Sequence, residues 1–298
     1  MTHVAFLGVG AMGLGMAARL AGSGQKVVAY DVSPDALARA AAASCEAAAS
    51  AAEAVKGASV IITMLATGAQ VAAAYAETIV PNAEPGALVV DCSTIDVETA
   101  RAVAAQAAAA GLRPADAPVS GGTMAAEAGT LAFMVGCDEP LFEVVRRALS
   151  PMARVTIHAG GAGAGQAAKI CNNMVLGVSM LGVCEAFGLA EKLGLAPERF
   201  FEIASQSSGQ CWSLTTYCPW PGPVPTAPSN RGYEGGFLTA LMLKDLKLAQ
   251  EAAARSGATT PLGAQAEALY ALFDRLGYGR KDFSAVLQLL RGKLDELA

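Results

Sequence analysis

Two side chains in the second half of the chain could exchange a proton. Lys169 and Asn173 lie in AKICNNM (168–174), and VLGVSMLGVC (175–184) follows without a charge. The segment reads as a buried helix, in which residues four apart share a face. A buried ammonium is costly unless it is paired or used. One reading has Lys169 snorkelling to solvent while Asn173 caps a neighbouring group. The other has a partly desolvated lysine, its pKa lowered towards neutrality, trading a proton with a hydroxyl. The residue inventory bears on the choice. His3 and His158 are the only histidines, which leaves little room for a His-based zinc site or for a triad built on imidazole. No metal site is expected.

A second constellation sits at the N-terminus. In HVAFLGVGAMGLGMAARL a short apolar run meets a helical pattern at Gly8-x-Gly10-x-x-Gly13. In a strand–turn–helix unit each glycine has a purpose. The first permits the tight turn, the second lets backbone N–H groups approach a pyrophosphate, and the third lets helix and strand pack closely. Ala11 and Met12 open the helix, whose N-terminus favours negative charge. The next apolar run, QKVVAYD, ends in Asp31, 18 residues after Gly13. A carboxylate there can accept from the ribose hydroxyls of an adenosine, and it repels a 2′-phosphate. That pairing points to NAD rather than NADP. The plainer alternative for Asp31 is a turn or helix N-cap residue.

These residues need a scaffold, and the hydrophobic pattern supplies one. ASVIITML (58–65), GALVVDCS (86–93), LRPADAPV (112–119), TLAFMVG (130–136) and ARVTIHAG (153–160) continue the strands, with alanine-rich helical stretches between them. Alternation of this kind predicts an α/β domain: a Rossmann-type, doubly wound sheet over residues 1–163. Ligands of such sheets bind beyond the carboxyl ends of the strands. Leu65, Ala66, Thr94 and the turn Ser120-Gly121-Gly122 fall at those ends and are expected to line one crevice. After residue 163 the strand signal disappears, and an all-α C-terminal domain is expected over 164–298. Its helices are placed at 165–193, 197–207, 236–256, 261–276 and 282–296. The Pro/Gly-rich stretch 218–236 is long enough for a binding lid. Trp212, Phe237 and Tyr217 could line a substrate pocket or could be ordinary core packing.

Composition narrows the function classes. Of 298 residues, 53% are hydrophobic and 16% charged, which is ample for a core and argues against disorder. A net charge of −5 without a Lys/Arg run argues against nucleic acid or an anionic membrane surface as partner. The N-terminus lacks the basic segment of a signal peptide, and polar residues interrupt the uncharged stretch 57–76, so a cytoplasmic protein without membrane spans is expected. The seven cysteines are scattered and never spaced C-x-x-C, as buried reduced thiols would be.

Several blocks in this order resemble the β-hydroxyacid dehydrogenases over nearly the whole chain. They are FLGVGAMGLGMA, DCSTID (91–96), DAPVSGGTMAAEAGTLAFMVG (116–136), GAGQAAKICNNMVLGVSMLGVCEA (163–186), SSGQCWSLTTYCPWPG (207–222) and GGFLTALMLKDLKLA (235–249). The resemblance implies that Lys169 is the catalytic lysine and Asn173 its substrate-orienting partner. It implies that Ser120, Gly121 and Gly122 hold the substrate carboxylate, with Trp212 and Phe237 nearby. It implies cofactor contacts at Leu65, Ala66, Thr94 and Lys244, with Asp245 of the KDL motif supporting them. The implied partner is a small hydroxy-acid substrate oxidised with NAD, and the implied assembly a homodimer or homotetramer. Another short hydroxy acid, such as serine or glycerate, remains an open substrate. A non-catalytic NAD-binding sensor is the alternative from a different class, and it would have no need of Lys169, Asn173 and Ser120 together. Two positions depart from the family pattern. Ala66 replaces the proline of the usual Met-Leu-Pro loop, and Cys137 replaces a glycine.

Overall fold

The computed structural model describes residues 3–297. The chain forms two compact units, Met1–Lys169 and Ile170–Ala298.

The first unit is built on a nine-stranded sheet. Its strands are β1 (His3–Leu7), β2 (Lys26–Tyr30), β3 (Glu46–Ala47), β4 (Val60–Thr63), β5 (Leu88–Asp91), β6 (Arg113–Asp116), β7 (Val119–Ser120), β8 (Leu131–Gly136) and β9 (Ala153–Gly160). The spatial order is β3-β2-β1-β4-β5-β6-β8-β7, with β9 paired to β8. The strands from β3 to β6 in this order all pair in parallel. β8 runs antiparallel to β6 and β7 and parallel to β9.

Strand periodicity explains why these segments read as continuous apolar runs. Val4, Phe6, Ile62, Leu88 and Val90 enter one buried cluster. Their neighbours Ala5, Leu7, Ile61 and Val89 enter another. Alternate residues point to opposite faces, so a sheet covered by helices on both sides needs apolar residues at every position. The first helix, Ala11–Gly22, covers one face with Met16, Ala17 and Leu20. Other helix starts follow the expected capping chemistry. Ser33 accepts from the Ala36 N–H at 3.3 Å and Asp96 from the Thr99 N–H at 2.8 Å.

Register sets the functional edge. Leu7 stands opposite both Tyr30 and Thr63, Thr63 opposite Asp91, and Asp91 opposite Asp116. The carboxyl ends of five parallel strands are therefore side by side, and the candidate loops leave from there.

A 29-residue helix, Ala164–Lys192, carries the chain from the first unit into the second. The second unit continues with helices Pro197–Ser205, Trp212–Thr215, Thr239–Ser256, Pro261–Phe273 and Val286–Arg291. Its core gathers Met180, Cys184, Phe187, Met242, Leu246, Tyr270, Phe273, Phe283 and Leu287. Trp220 stacks on Phe187 with ring centroids 5.6 Å apart, and the Arg291 guanidinium lies 4.3 Å from the Trp220 ring. Arg291 also grips Glu191 with two hydrogen bonds, of 2.9 and 2.7 Å. The long helix is apolar and long enough to cross a membrane, with mean hydropathy 1.5. Met180, Cys184 and Phe187 nevertheless bury its middle in the core of this unit.

One expectation changes, and the Pro/Gly-rich stretch gains detail. The helix placed at 282–296 is broken into Phe283–Ala285, Val286–Arg291 and Leu294–Leu297, because Gly292 takes φ 70° and ends the middle piece. The stretch 218–236, long enough for a binding lid, is held internally rather than extended. Ser229 Oγ donates to the Cys218 carbonyl at 2.8 Å, and Tyr233 Oη donates to the Pro219 carbonyl at 2.8 Å. Cys218, Ala227 and Tyr233 are buried within it.

Candidate active site

The glycine turn has the shape that the sequence pattern requires. Gly8 has φ +94°, and a Cβ there would stand 2.3 Å from the Met64 carbonyl oxygen. A Cβ on Gly13 would stand 2.0 Å from the Gly8 carbonyl oxygen, so helix and turn touch backbone to backbone. Gly10 is exposed and has open space where a Cβ would project. It caps the Ala11–Gly22 helix without a side-chain hydrogen bond, and no acidic residue occupies the first turn. Ala11 is exposed and Met12 half-buried. The N-terminus thus presents backbone donors, and the positive end of its dipole, to an approaching anion.

Asp31 follows β2. One carboxylate oxygen accepts from the Val9 N–H at 2.8 Å and the other from the Ser33 N–H at 2.9 Å. The carboxylate therefore braces the glycine turn. Each oxygen keeps a second lone pair, so capacity to accept from a ribose remains.

The loops after β4 and β5 are joined below the surface. The Leu65 N–H donates to Ser93 Oγ at 2.8 Å. Ser93 Oγ in turn donates to Asp91 Oδ1 at 2.6 Å, and Thr63 Oγ1 donates to the same oxygen at 2.7 Å. Ala66 is exposed, and its N–H donates to Gln70 Oε1 at 3.1 Å. Thr94, half-buried, stands between Ser93 and Ile95. Ser120 ends β7, and the turn after it uses two residues that only glycine accommodates easily, Gly121 at φ 136° and Gly122 at φ 69°.

Lys169 lies in the second turn of the long helix and is 7% exposed. The start of that helix is pinned to the sheet. Asp116, at the end of β6, accepts from the Gly163 N–H at 2.7 Å and the Gln166 N–H at 2.9 Å. The Gln166 side chain accepts from the Ile95 N–H at 3.1 Å and donates to the Ser93 carbonyl at 2.7 Å. Burial pushes the Asp116 carboxyl up to about 6, against the two backbone donors that favour its charged form, and the Asp91 charge adds to the rise. Asp91, Ser93, Asp116 and Gln166 were not singled out from the sequence. A signal existed, since an aspartate inside an apolar strand needs partners.

In the second unit Asn173 is 1% exposed, and its Nδ2 donates to Asp245 Oδ2. Asn172 Nδ2 donates to Asn173 Oδ1 at 3.0 Å. Lys244 Nζ lies 3.3 Å from Asp245 Oδ1. The buried Asp245 carboxylate thus fixes Asn173 and holds Lys244, a supporting arrangement. Trp212 is 48% exposed and stacks on Tyr217 at 4.8 Å. Tyr217 Oη donates to Asp282 at 2.7 Å, and the Phe237 N–H donates to the same carboxylate oxygen at 2.8 Å. Phe237 meets Phe283 edge-on at 5.7 Å. Burial, with the Asp282 charge second, raises the Tyr217 hydroxyl far above its ordinary pKa, so it stays neutral, donating to Asp282 and accepting from the Phe237 N–H at 3.2 Å. Among the described residues no cluster of three His, Cys, Asp or Glu could hold a metal.

This geometry can be set against known proteins. The family described as the NAD binding domain of 6-phosphogluconate dehydrogenase matches residues 3–161, and that described as the NAD-binding of NADP-dependent 3-hydroxyisobutyrate dehydrogenase matches residues 163–290. A probable 3-hydroxyisobutyrate dehydrogenase of Mycobacterium tuberculosis is 50% identical over 99% of this chain and 100% of its own. This chain belongs to the 3-hydroxyisobutyrate dehydrogenase family of β-hydroxyacid dehydrogenases. An NAD-dependent L-serine dehydrogenase of Pseudomonas aeruginosa is 45% identical, covering 97% of this chain and 98% of that one. A solved structure described as Mycobacterium tuberculosis 3-hydroxyisobutyrate dehydrogenase with L-serine superposes with TM-score 0.94 at 50% identity, covering 98% and 99% of the two chains. As a β-hydroxyacid dehydrogenase the protein is an oxidoreductase, and it uses a nicotinamide cofactor. The glycine turn and the uncapped helix end fit that cofactor's pyrophosphate.

Proposed function

We propose that the protein oxidises 3-hydroxyisobutyrate to methylmalonate semialdehyde, a step of valine breakdown, with NAD. The observation that carries the chemistry is a buried lysine at the start of the long helix, one turn before an asparagine held by a buried carboxylate. The similarity to relatives named 3-hydroxyisobutyrate dehydrogenase supports the substrate.

In this reading Gly8, Gly10, Ala11, Met12 and Gly13 hold the pyrophosphate, and Asp31 accepts from the adenosine ribose. Leu65, Ala66, Thr94 and Lys244 contact the cofactor, and Asp245 supports Lys244. The nicotinamide, when bound, would supply the hydride acceptor for the carbinol carbon. Ser120 Oγ and the N–H groups of Gly121 and Gly122 hold the substrate carboxylate. Lys169, in its neutral form, takes the hydroxyl proton, and as ammonium it returns that proton in the reverse direction. Asn173 donates to the reacting oxygen or aligns the lysine. A general acid–base group contributes about 10²–10⁴-fold. Trp212 and Phe237 shape the pocket. We further assign residues 1–163 to cofactor binding and 164–298 to substrate binding and subunit contacts, in a cytoplasmic homodimer or homotetramer.

L-Serine is the second substrate reading. It is favoured by the 45% identical relative named L-serine dehydrogenase and by the 50% identical solved structure described with L-serine. Initial rates of NAD reduction, with both 3-hydroxyisobutyrate enantiomers, L-serine, D-glycerate and 3-hydroxypropionate, separate the two. A kcat/KM highest for one hydroxyisobutyrate enantiomer supports the assignment. A higher value for L-serine keeps the mechanism and removes the substrate. In parallel, Lys169→Ala is expected to abolish turnover and still bind NADH. A mutant retaining most of the wild-type kcat would remove Lys169 from the chemistry.

A further inference from the structure

Gln166 is fully buried, yet it spends both ends of its side-chain amide on the backbone of another element. Its Oε1 accepts from the Ile95 N–H and its Nε2 donates to the Ser93 carbonyl, at 3.1 and 2.7 Å. These two bonds bracket Thr94. Ser93 continues the chain of contacts, since its Oγ accepts from the Leu65 N–H at 2.8 Å. On the other side, the Gln166 N–H is held by Asp116 at 2.9 Å. Lys169 is three residues on, within one helical turn.

Close packing removes the slack from this arrangement. A Cβ on Gly165 would stand 2.3 Å from the Met134 carbonyl oxygen, and one on Gly136 would stand 2.8 Å from the Gly165 nitrogen. The first helical turn therefore lies directly on β6 and β8. A helix seated this way can neither slide nor rotate without breaking buried hydrogen bonds.

We propose that Gln166 is a positioning residue. It registers the lysine helix against the loops carrying Leu65 and Thr94, so that the proton acceptor and the cofactor loops keep one fixed relation. This rests on the reading of Lys169 as the acid–base group. Displacement of a reacting group by about 1 Å can cost on the order of 10²-fold in rate while leaving binding intact.

The test is Gln166→Met, which keeps the side-chain length and removes both hydrogen bonds. Four readouts are taken: kcat, substrate KM, NADH affinity by fluorescence titration, and amide hydrogen exchange of segment 93–97 without ligand. The expected result is a kcat lowered about 10–100-fold, KM and NADH affinity within about threefold of wild type, and faster exchange at Ile95. A kcat within about threefold of wild type overturns the proposal. So does a loss explained by weaker NADH binding, or unchanged exchange.

Gln166→Glu decides the matter if the methionine variant does not fold. A protonated glutamic acid keeps one donor and one acceptor, and its ionised form loses the donor. The titratable or charged groups on the elements carrying its partners are Asp91, Cys92 and Asp96 around Ser93 and Ile95, and Arg113 and Asp116 on β6, with Lys169 and Cys171 nearest on its own helix. The kcat of this variant relative to wild type should fall as pH rises, and a pH-independent ratio overturns the proposal. Lys169→Ala runs alongside. Retained turnover there sinks the lysine reading itself, whereas a dead Lys169→Ala beside a fully active Gln166→Met sinks the positioning role alone.

Discussion

Asp116→Asn should change how stability depends on pH, in a direction opposite to that of a salt-bridged carboxylate. In the folded protein burial raises the Asp116 carboxyl from 3.8 to about 6. Its oxygens face the Gly163 and Gln166 N–H groups, Asp91 stands beside it on β5, and the buried Cys137 thiol is pushed up partly by its charge. A carboxyl raised on folding binds its proton more tightly in the native state. Its contribution is therefore most favourable below pH ~4 and is lost as pH climbs to ~6. The displacement corresponds to about 3 kcal/mol at ~1.4 kcal/mol per pH unit. The assay is urea unfolding of wild type and Asp116→Asn between pH 4 and pH 7.5, followed by far-ultraviolet circular dichroism. Subtracting the variant from the wild type cancels the groups distant from Asp116, leaving its own titration and its coupling to Asp91. The difference should fall by about 2.4 kcal/mol between pH 4 and pH 7.5 and level off above pH ~7. A flat difference throughout would show that burial is fully offset. A rising one would show that the two backbone donors outweigh burial, and would refute the reasoning.

Three other outcomes follow from the geometry. Gly13→Ala places a methyl group against the Gly8 carbonyl, and NADH binding measured by fluorescence should weaken by at least about tenfold, a loss of ~1.4 kcal/mol. Asp31→Ser removes the charge that would repel a 2′-phosphate and keeps a hydroxyl acceptor, so the ratio of kcat/KM for NAD to that for NADP should fall by about an order of magnitude, as loss of ~1.4 kcal/mol would give; an unchanged ratio would remove Asp31 from cofactor choice. Asp245→Ala leaves the Asn173 amide and the Lys244 ammonium without their carboxylate, and breaking a buried charged hydrogen bond typically costs on the order of 1.5–3 kcal/mol. Its kcat should drop about 10–100-fold while thermal unfolding shows a folded protein.

Much of this was legible because the physics was local. A strand buried on both faces has to be apolar at every residue, so β1, β4 and β5 stood out as unbroken runs. The long helix was visible from 165 to 193 because no proline interrupts a long run of apolar and alanine residues, and it spans Ala164–Lys192. β3, by contrast, consists of exposed Glu46 and Ala47, which carry no hydrophobic signal and pair only because β2 lies beside them. The helix Trp212–Thr215 is one turn long, too short for periodicity to register. For the candidate site, the glycine turn, Asp31, Lys169 and Asn173 could be proposed because spacing within one segment picks them out. The supports were not. Gln166 meets Ser93 and Ile95 across more than 70 positions of sequence, and Asp116 meets Gly163 across 47. Only the folded register brings them together.

The two tryptophans give the molecule an unevenly distributed optical label. Both Trp212 and Trp220 belong to the second unit, and the first has no indole at all. Trp220 lies between Phe187 and the Arg291 guanidinium, whereas nearly half of the Trp212 surface meets water. Indole emission therefore reports directly on the helical unit. Replacing Trp212 by phenylalanine would leave one sheltered chromophore and a clean baseline for the helical half. Introducing a tryptophan at exposed Val32, beside Asp31, would bring the nucleotide-binding half into view.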